Sequence, residues 1–222
     1  MTPDRGHPAD DVDRLRSEVA HAGRTLAAAG LVSGRAGNVS ARAGDLVAIS
    51  ATGARLARLC EDEVAIVDLA GARVAAAIAP SSELPLHLAV YRHFDAGAVV
   101  HTHPPMATAV ACVVDELPCI HYTLLALGGS VRVARYATFG SADLGASVVE
   151  ALQDRTAALM ASHGAVAYGR DLQAAVDASE LLESVCAFYV HARACGTPRV
   201  LGDDERRAVA EALERTSGER SD

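Results

Sequence analysis

The apolar run Ala98-Val99-Val100 leads directly into His101-Thr102-His103-Pro104, with a second proline at 105. In an extended strand alternate side chains share a face, so His101 and His103 point one way and Thr102 the other. This pairing suits one metal ion, because neutral imidazole is a common ligand of zinc and its neighbours. Two ligands from one strand require two more from elsewhere. A fold that uses the pair must therefore bring other donors to the end of this strand.

The chain has 222 residues, half of them hydrophobic, which is enough for one substantial core. No internal repeat, low-complexity tract or Pro- or Ser-rich linker divides it. The expectation is one domain over 1–222, with unordered ends at 1–9 and 217–222. A net charge of -8 argues against a nucleic-acid surface or a polybasic membrane patch, so a bound anion needs a local site. No apolar run approaches the roughly 20 residues of a membrane span. The stretch from Met1 to Asp13 is polar, unlike a signal peptide, and the expected location is the cytoplasm.

Cys60, Cys112, Cys119, Cys186 and Cys195 are scattered and form no Cys-x-x-Cys pair, which reads as buried reduced thiols. All 20 basic residues are arginine. Without a lysine there is neither a Schiff base to a carbonyl substrate nor a Walker A loop. Electrophilic handling of a carbonyl then falls to a metal.

Apolar residues recur at helical spacing from Asp10 to Ala29, with Gly30 as a stop. After the Gly34-Arg35-Ala36-Gly37-Asn38 turn come strands over 39–42 and 46–50, paired about Gly44-Asp45. The Gly-Asn turn exposes backbone amides able to hold an anion, and Thr52-Gly53 ends the second strand in similar style. Strands follow over 64–68 and 73–79. Pro80-Ser81-Ser82-Glu83-Leu84-Pro85 opens a helix to about Phe94, capped by Ser81 or Ser82, whose N-terminus suits a phosphate. His87 and His93 read as surface residues of that helix.

Beyond Pro104, residues 105–114 and 120–127 read as short helices, 131–133 as a strand and 136–140 as a loop. A helix follows from Ser141 to about Gln153. Strands over 157–160 and 165–168 flank Ser162-His163-Gly164. A long helix from Asp171 to Cys195 carries Phe188 and Tyr189 as core aromatics, and a charged helix spans 203–215.

Glu83, His101, His103 and His163 supply a carboxylate and three imidazoles, each beside a strand end or a turn, as expected of catalytic zinc or a related divalent ion. Spacing alone leaves His87, His93, His121 and Asp143 as competitors for the fourth place.

Gly37-Asn38-Val39-Ser40, Thr52-Gly53, Ser81-Ser82-Glu83, His101-Thr102-His103-Pro104, His121-Tyr122, Tyr136-Ala137-Thr138-Phe139-Gly140 and Ser162-His163-Gly164 occur in the order seen in class II aldolases. From about Leu15 to Leu201 the chain resembles the aldolase/adducin family. The resemblance implies a three-layer α/β/α sandwich with a mixed, largely antiparallel sheet. It makes Glu83, His101, His103 and His163 the ligands of Zn2+, or of another divalent ion such as Mn2+ or Co2+. It puts the phosphate of a small sugar substrate on Gly37, Asn38, Thr52, Gly53, Ser81 and Ser82.

The implied reaction is cleavage of a ketose 1-phosphate to dihydroxyacetone phosphate and a short aldehyde. Glu83 is the implied base and acid on the dihydroxyacetone-phosphate carbon, and Tyr122 the implied donor to the aldehyde-side oxygen. The implied assembly is a cyclic homotetramer, with Tyr122 reaching a neighbour's site.

Three positions depart from the family pattern. Gly34-Arg35-Ala36 stands where Thr or Ser commonly precedes the Gly-Asn turn, so Arg35 either adds a bidentate phosphate contact or obstructs the usual one. Ser162 stands where Asn or a second His is usual, and the tail has no tyrosine matching one that a family member lends to the adjacent site. A pentulose-phosphate 4-epimerase shares the bond-breaking step but tends to carry Asp at the position of Glu83. Dehydratase and decarboxylase relatives keep similar ligands. The adducin head, a binding module of the same fold, lacks the metal set retained here.

Overall fold

The computed structural model describes residues 8–75 and 78–218. Its strands are β1 (Asn38–Ala43), β2 (Leu46–Ser50), β3 (Val64–Asp68), β4 (Arg73–Ala75), β5 (Ala98–Thr102), β6 (Glu116–Leu117), β7 (Val131–Ala134), β8 (Ala157–Met160) and β9 (Gly164–Gly169). They join in one sheet, ordered β4-β3-β2-β1-β5-β9-β8-β7-β6. The β7–β8 pairing is parallel, and the other neighbours run antiparallel.

The helices are α1 (Pro8–Ala28), α2 (Leu84–His93), α3 (Pro105–Ala111), α4 (Ala142–Ala151), α5 (Leu172–Cys195) and α6 (Asp203–Gly218). Strand alternation assigns them to layers. Val39, Ala41, Ala98 and Val100 pack with Leu15, Val19 and Leu26 of α1 and with Val176 of α5. Val47, Ile49, Val99, Ala158 and Val166 face the other way, onto Leu86 and Val90 of α2 and Leu144 and Val148 of α4. Further along the sheet, Leu159, Ala165 and Ala167 pack with α3 and α5. The result is the expected mixed sheet between two helical layers, buried on both faces in its central strands.

Several local expectations hold at residue level. The Oγ of Ser141 accepts from the Leu144 amide and the Oδ1 of Asp171 from the Ala174 amide, capping α4 and α5. Others are corrected. The N-cap of α2 is Glu83, without a side-chain cap, while the Ser81 Oγ accepts from the Glu83 amide at 3.2 Å. That bond leaves Glu83 at the corner where chain enters helix. The stretch over 120–127 is a 3-10 turn, Tyr122–Leu127, ended by Gly128 in the left-handed region. The strand expected over 73–79 ends at Ala75, and 76 and 77 lie outside the described residues.

Cys119 and Cys186 are buried, whereas Cys60, Cys112 and Cys195 are exposed. Phe188 is exposed as well, because it lies off the stripe of Leu182, Val185 and Cys186 that α5 turns to the core. The ends expected to be unordered lie outside the described residues, except 8, 9, 217 and 218, which belong to helices.

Candidate metal centre and anion cleft

Four chain segments end at one point. β5 presents His101, with His103 just past its last residue, and the turn between β8 and β9 presents His163. Glu83 stands at the start of α2. Asn38, the first residue of β1, pairs with His101 across the sheet. As alternation requires, His101 and His103 turn to one side with Nε2 atoms 2.9 Å apart, while Thr102 turns to the other and meets Ser179 of α5 at 3.2 Å.

A close approach makes this possible. A Cβ at Gly164 would collide with the Thr102 carbonyl and lie 3.2–3.3 Å from the His103 ring. Gly164→Ala therefore forces β9 away from β5 at the site, and a loss of about 1–3 kcal/mol in denaturant unfolding is expected from such overpacking.

One donor atom from each of Glu83, His101, His103 and His163 lies within 4.8 Å of the others. The Nδ1 of His101 is 2.9 Å from the Ala165 carbonyl, which can only accept, so this nitrogen carries a proton and Nε2 faces the cluster. There it meets the Glu83 Oε2 at 3.0 Å. The Nε2 of His163 lies 3.4 Å from the Glu83 Oε1, an oxygen buried without a hydrogen-bond partner. The imidazole nitrogens and carboxylate oxygens of the four residues thus converge on one point. A divalent cation satisfies that arrangement, and the three-nitrogen, one-oxygen donor set suits zinc or a close relative.

Burial pushes the Glu83 carboxyl up, but hydrogen bonds from His101 and Asn38 and the charges of His101 and His163 outweigh it, leaving the group at about 2. Burial, then the charges of His101 and His163, lowers His103 to about 4. Burial also leads the lowering of His163.

His87 corrects the sequence expectation outright: it is fully buried. Glu83, His87 and Tyr91 stand four residues apart, so they share the inward face of α2. Burial drives His87 down to about 3. A depressed folded value means that the unfolded chain binds the extra proton. Stability is therefore fully present above the ordinary histidine value of 6.5 and falls as pH drops from there toward 3. Titration of unfolding free energy should show acid destabilisation beginning near pH 6.5, with a slope of at most about 1.4 kcal/mol per pH unit for each such group. His93, by contrast, is exposed as expected.

A cleft of about 340 Å³ opens over the cluster, lined by Gly37, Asn38, Thr52, Gly53, Ser81, Ser82, Glu83, His103 and His163 together with Arg35 and Phe139. Gly37 sits at φ +84, where a Cβ would also press on the His101 carbonyl at 2.9 Å. Glycine is thus required where the loop crosses the site. The Nη1 of Arg35 lies 3.3 Å from the Cβ position of Gly53, so the guanidinium hangs over the rim. Phe139, part of the Tyr136 to Gly140 motif but given no role from the sequence, also lines the cleft. Tyr122 does not line its own chain's cleft. It is 52% exposed beside the His121 ring, at 4.8 Å between centroids.

Four possible metal donors thus converge at a strand end, beside a cleft lined by Gly37, Thr52, Gly53, Ser81 and Ser82. Residues 17–190 match the model of the class II aldolase and adducin N-terminal domain. The chain is 36% identical over 170 residues to a 5-deoxy-D-ribulose 1-phosphate aldolase of Bacillus thuringiensis, covering 76% of this chain and 80% of that enzyme. It is 36% identical over 166 residues to the L-fuculose phosphate aldolase of Escherichia coli K12, covering 73% and 77%. A solved L-fuculose 1-phosphate aldolase superposes with a TM-score of 0.86 at 33% identity, covering 90% of this chain and 96% of that one. The chain belongs to the class II aldolase/adducin family, and within it to the aldehyde-lyases.

Proposed function

We propose that this protein is a divalent-metal-dependent aldolase that cleaves a ketose 1-phosphate, of the L-fuculose or 5-deoxyribulose type, into dihydroxyacetone phosphate and a short aldehyde. The observation that carries the proposal is the convergence of Glu83, His101, His103 and His163 at the base of a cleft rimmed by Gly37, Thr52, Gly53, Ser81 and Ser82. A divalent ion held by these four residues supplies Lewis acidity to the carbonyl and neighbouring hydroxyl of the sugar.

The rim binds the phosphate through amides and hydroxyls, fixing the sugar's position over the ligands. Glu83, whose Oε1 has no hydrogen-bond partner, moves a proton to and from the dihydroxyacetone-phosphate carbon. Tyr122 is the donor to the aldehyde-side oxygen. Its exposure away from its own cleft supports an assembly, a homotetramer in this reading, in which it serves an adjacent site. Zinc is the proposed ion, the chain acts as a single domain, and the cytoplasm is the proposed location. Among the described residues no helix is long and apolar enough to cross a membrane.

Arg35 is assigned to the phosphate as well. It is exposed, it lines the cleft, and its Nη1 lies 3.3 Å from the Cβ position of Gly53. Arg35→Gln should raise KM for the sugar phosphate about 10-fold or more, the worth of one charge-assisted contact, with kcat within about 3-fold. Initial-rate kinetics at two ionic strengths would read this.

The function itself is tested by incubating the metal-loaded protein with ketose 1-phosphates and coupling dihydroxyacetone phosphate to its enzymatic reduction. Fragment release supports the aldolase. Inversion at C4 of a pentulose phosphate without release would replace it by the epimerase.

A further inference from the structure

Behind Glu83 runs a buried file of polar side chains that the proposed reaction does not use. The Nδ2 of Asn38 lies 2.9 Å from the Glu83 Oε2. The Oδ1 of Asn38 bonds the Nε2 of His87, and the Nδ1 of His87 lies 2.7 Å from the Ser40 Oγ. The Ser40 Oγ is 2.7 Å from the Tyr91 hydroxyl. All five residues are buried.

Their chemistry fixes the direction of every bond. An ionised carboxylate only accepts, so the amide nitrogen of Asn38 must face Glu83 and its oxygen must face His87. His87 then donates from Nε2 and, being neutral, accepts at Nδ1. The Ser40 hydroxyl must donate to that nitrogen, and the Tyr91 hydroxyl in turn donates to Ser40. The bonds therefore point one way, from Tyr91 to the carboxylate, and chains so aligned polarise one another. They tie down the Glu83 Oε2 and leave Oε1 as the oxygen without a hydrogen-bond partner, 3.4 Å from the Nε2 of His163.

We propose that His87, acting through Asn38, is a positioning residue for Glu83, and that the one-way chain from Tyr91 selects which carboxylate oxygen is presented to the metal and the substrate. In this role His87 neither touches substrate nor ligates. It holds the Asn38 amide against flipping, since a flipped amide would set its oxygen against the carboxylate. The Asn38 amide keeps a second hydrogen for the substrate, linking the anion rim to the same chain. The activity arm of this inference rests on the aldolase reading; its other arms do not.

The test uses the full-length protein, His87→Leu, and Ser40→Ala, which removes the donor to His87 with little change in volume. Nitrogen-15 NMR of the wild-type ring should show the Nε2–H tautomer, and Ser40→Ala should keep it, because the Asn38 oxygen still takes that proton, while the Nδ1 resonance shifts on losing its donor. Zinc titration of the metal-free proteins by calorimetry should show affinity about 10- to 100-fold weaker in His87→Leu, the usual effect of losing an outer-sphere partner. The kcat for fragment release should fall by a similar factor with KM within about 3-fold. An Nδ1–H tautomer in the wild type overturns the proposal, even if His87→Leu fails to fold. So does a folded His87→Leu protein with unchanged zinc affinity. Were the wild-type protein to release no fragment, the aldolase reading would fail while the tautomer and zinc measurements still decided the role of His87.

Discussion

His103→Ala should yield a folded protein that retains less than about a tenth of an equivalent of divalent metal after gel filtration and has lost about three powers of ten in kcat/KM. His103 lies just beyond the end of β5 and lines the cleft, so truncation opens no cavity in the sheet. Its Nε2 faces that of His101 at 2.9 Å, an approach that adds little stability of its own. Removing it should leave the melting temperature of the chelated protein nearly unchanged. The difference appears on adding metal. A ligand present at about 100 times its Kd stabilises the folded state by about 2.7 kcal/mol, so zinc should raise the melting temperature of the wild type and not of the variant. Lewis-acid stabilisation is worth several kcal/mol, and a loss of about 4 kcal/mol corresponds to the stated thousandfold. Equal zinc-induced shifts in the two proteins would remove His103 from the ligand set.

Glu83→Gln is expected to cost about 10²- to 10⁴-fold in kcat, the range for loss of a general acid–base group. The substitution nearly preserves volume but removes a charge and a proton acceptor. It also sets an amide against the Asn38 Nδ2, which now donates to the carboxylate at 2.9 Å. Either the new side chain turns its oxygen to Asn38, or two donors face each other in a buried place at a cost of about 1–3 kcal/mol. A specific readout is exchange of a dihydroxyacetone-phosphate carbon-bound proton with deuterated solvent, which needs no aldehyde. The wild type should exchange it, and Glu83→Gln should not do so above background at matched metal occupancy.

The parts of the site that depend on strand geometry were legible in the sequence. Period two is rigid in a strand, so the opposed directions of His101 and Thr102 follow from spacing alone, and the two side chains lie against Glu83 and Ser179 respectively. The α2 helix was harder. Its start is visible in Pro80 to Pro85, yet a single histidine between leucines carries no sign of which way it faces, and the surface expected for His87 is not where it lies. The four-residue spacing of Glu83, His87 and Tyr91 was the available signal. It predicts that all three share a face, and the inward carboxylate decides which face that is.

The cap was misplaced for a related reason. Ser81 does bond an amide, that of Glu83, but the bond closes a turn before the helix instead of capping its first residues. Phe139 and Arg35 enter the cleft from loops, where no periodicity constrains direction. Phe188 looked like core because it is aromatic and lies in a long helix, and only the register of α5 against the sheet turns it outward.

The most direct measurement is a metal titration of chelator-treated protein with L-fuculose 1-phosphate and 5-deoxyribulose 1-phosphate as substrates, recording metal per chain and dihydroxyacetone phosphate released in the same samples. The metal-free protein should release nothing, and with at least one of the two sugars activity should rise in proportion to bound Zn2+, Co2+ or Mn2+ and saturate near one ion per chain. Fragment release that is undiminished in the metal-free protein, or one ion per chain with no release from either sugar, would contradict a metal-dependent aldolase.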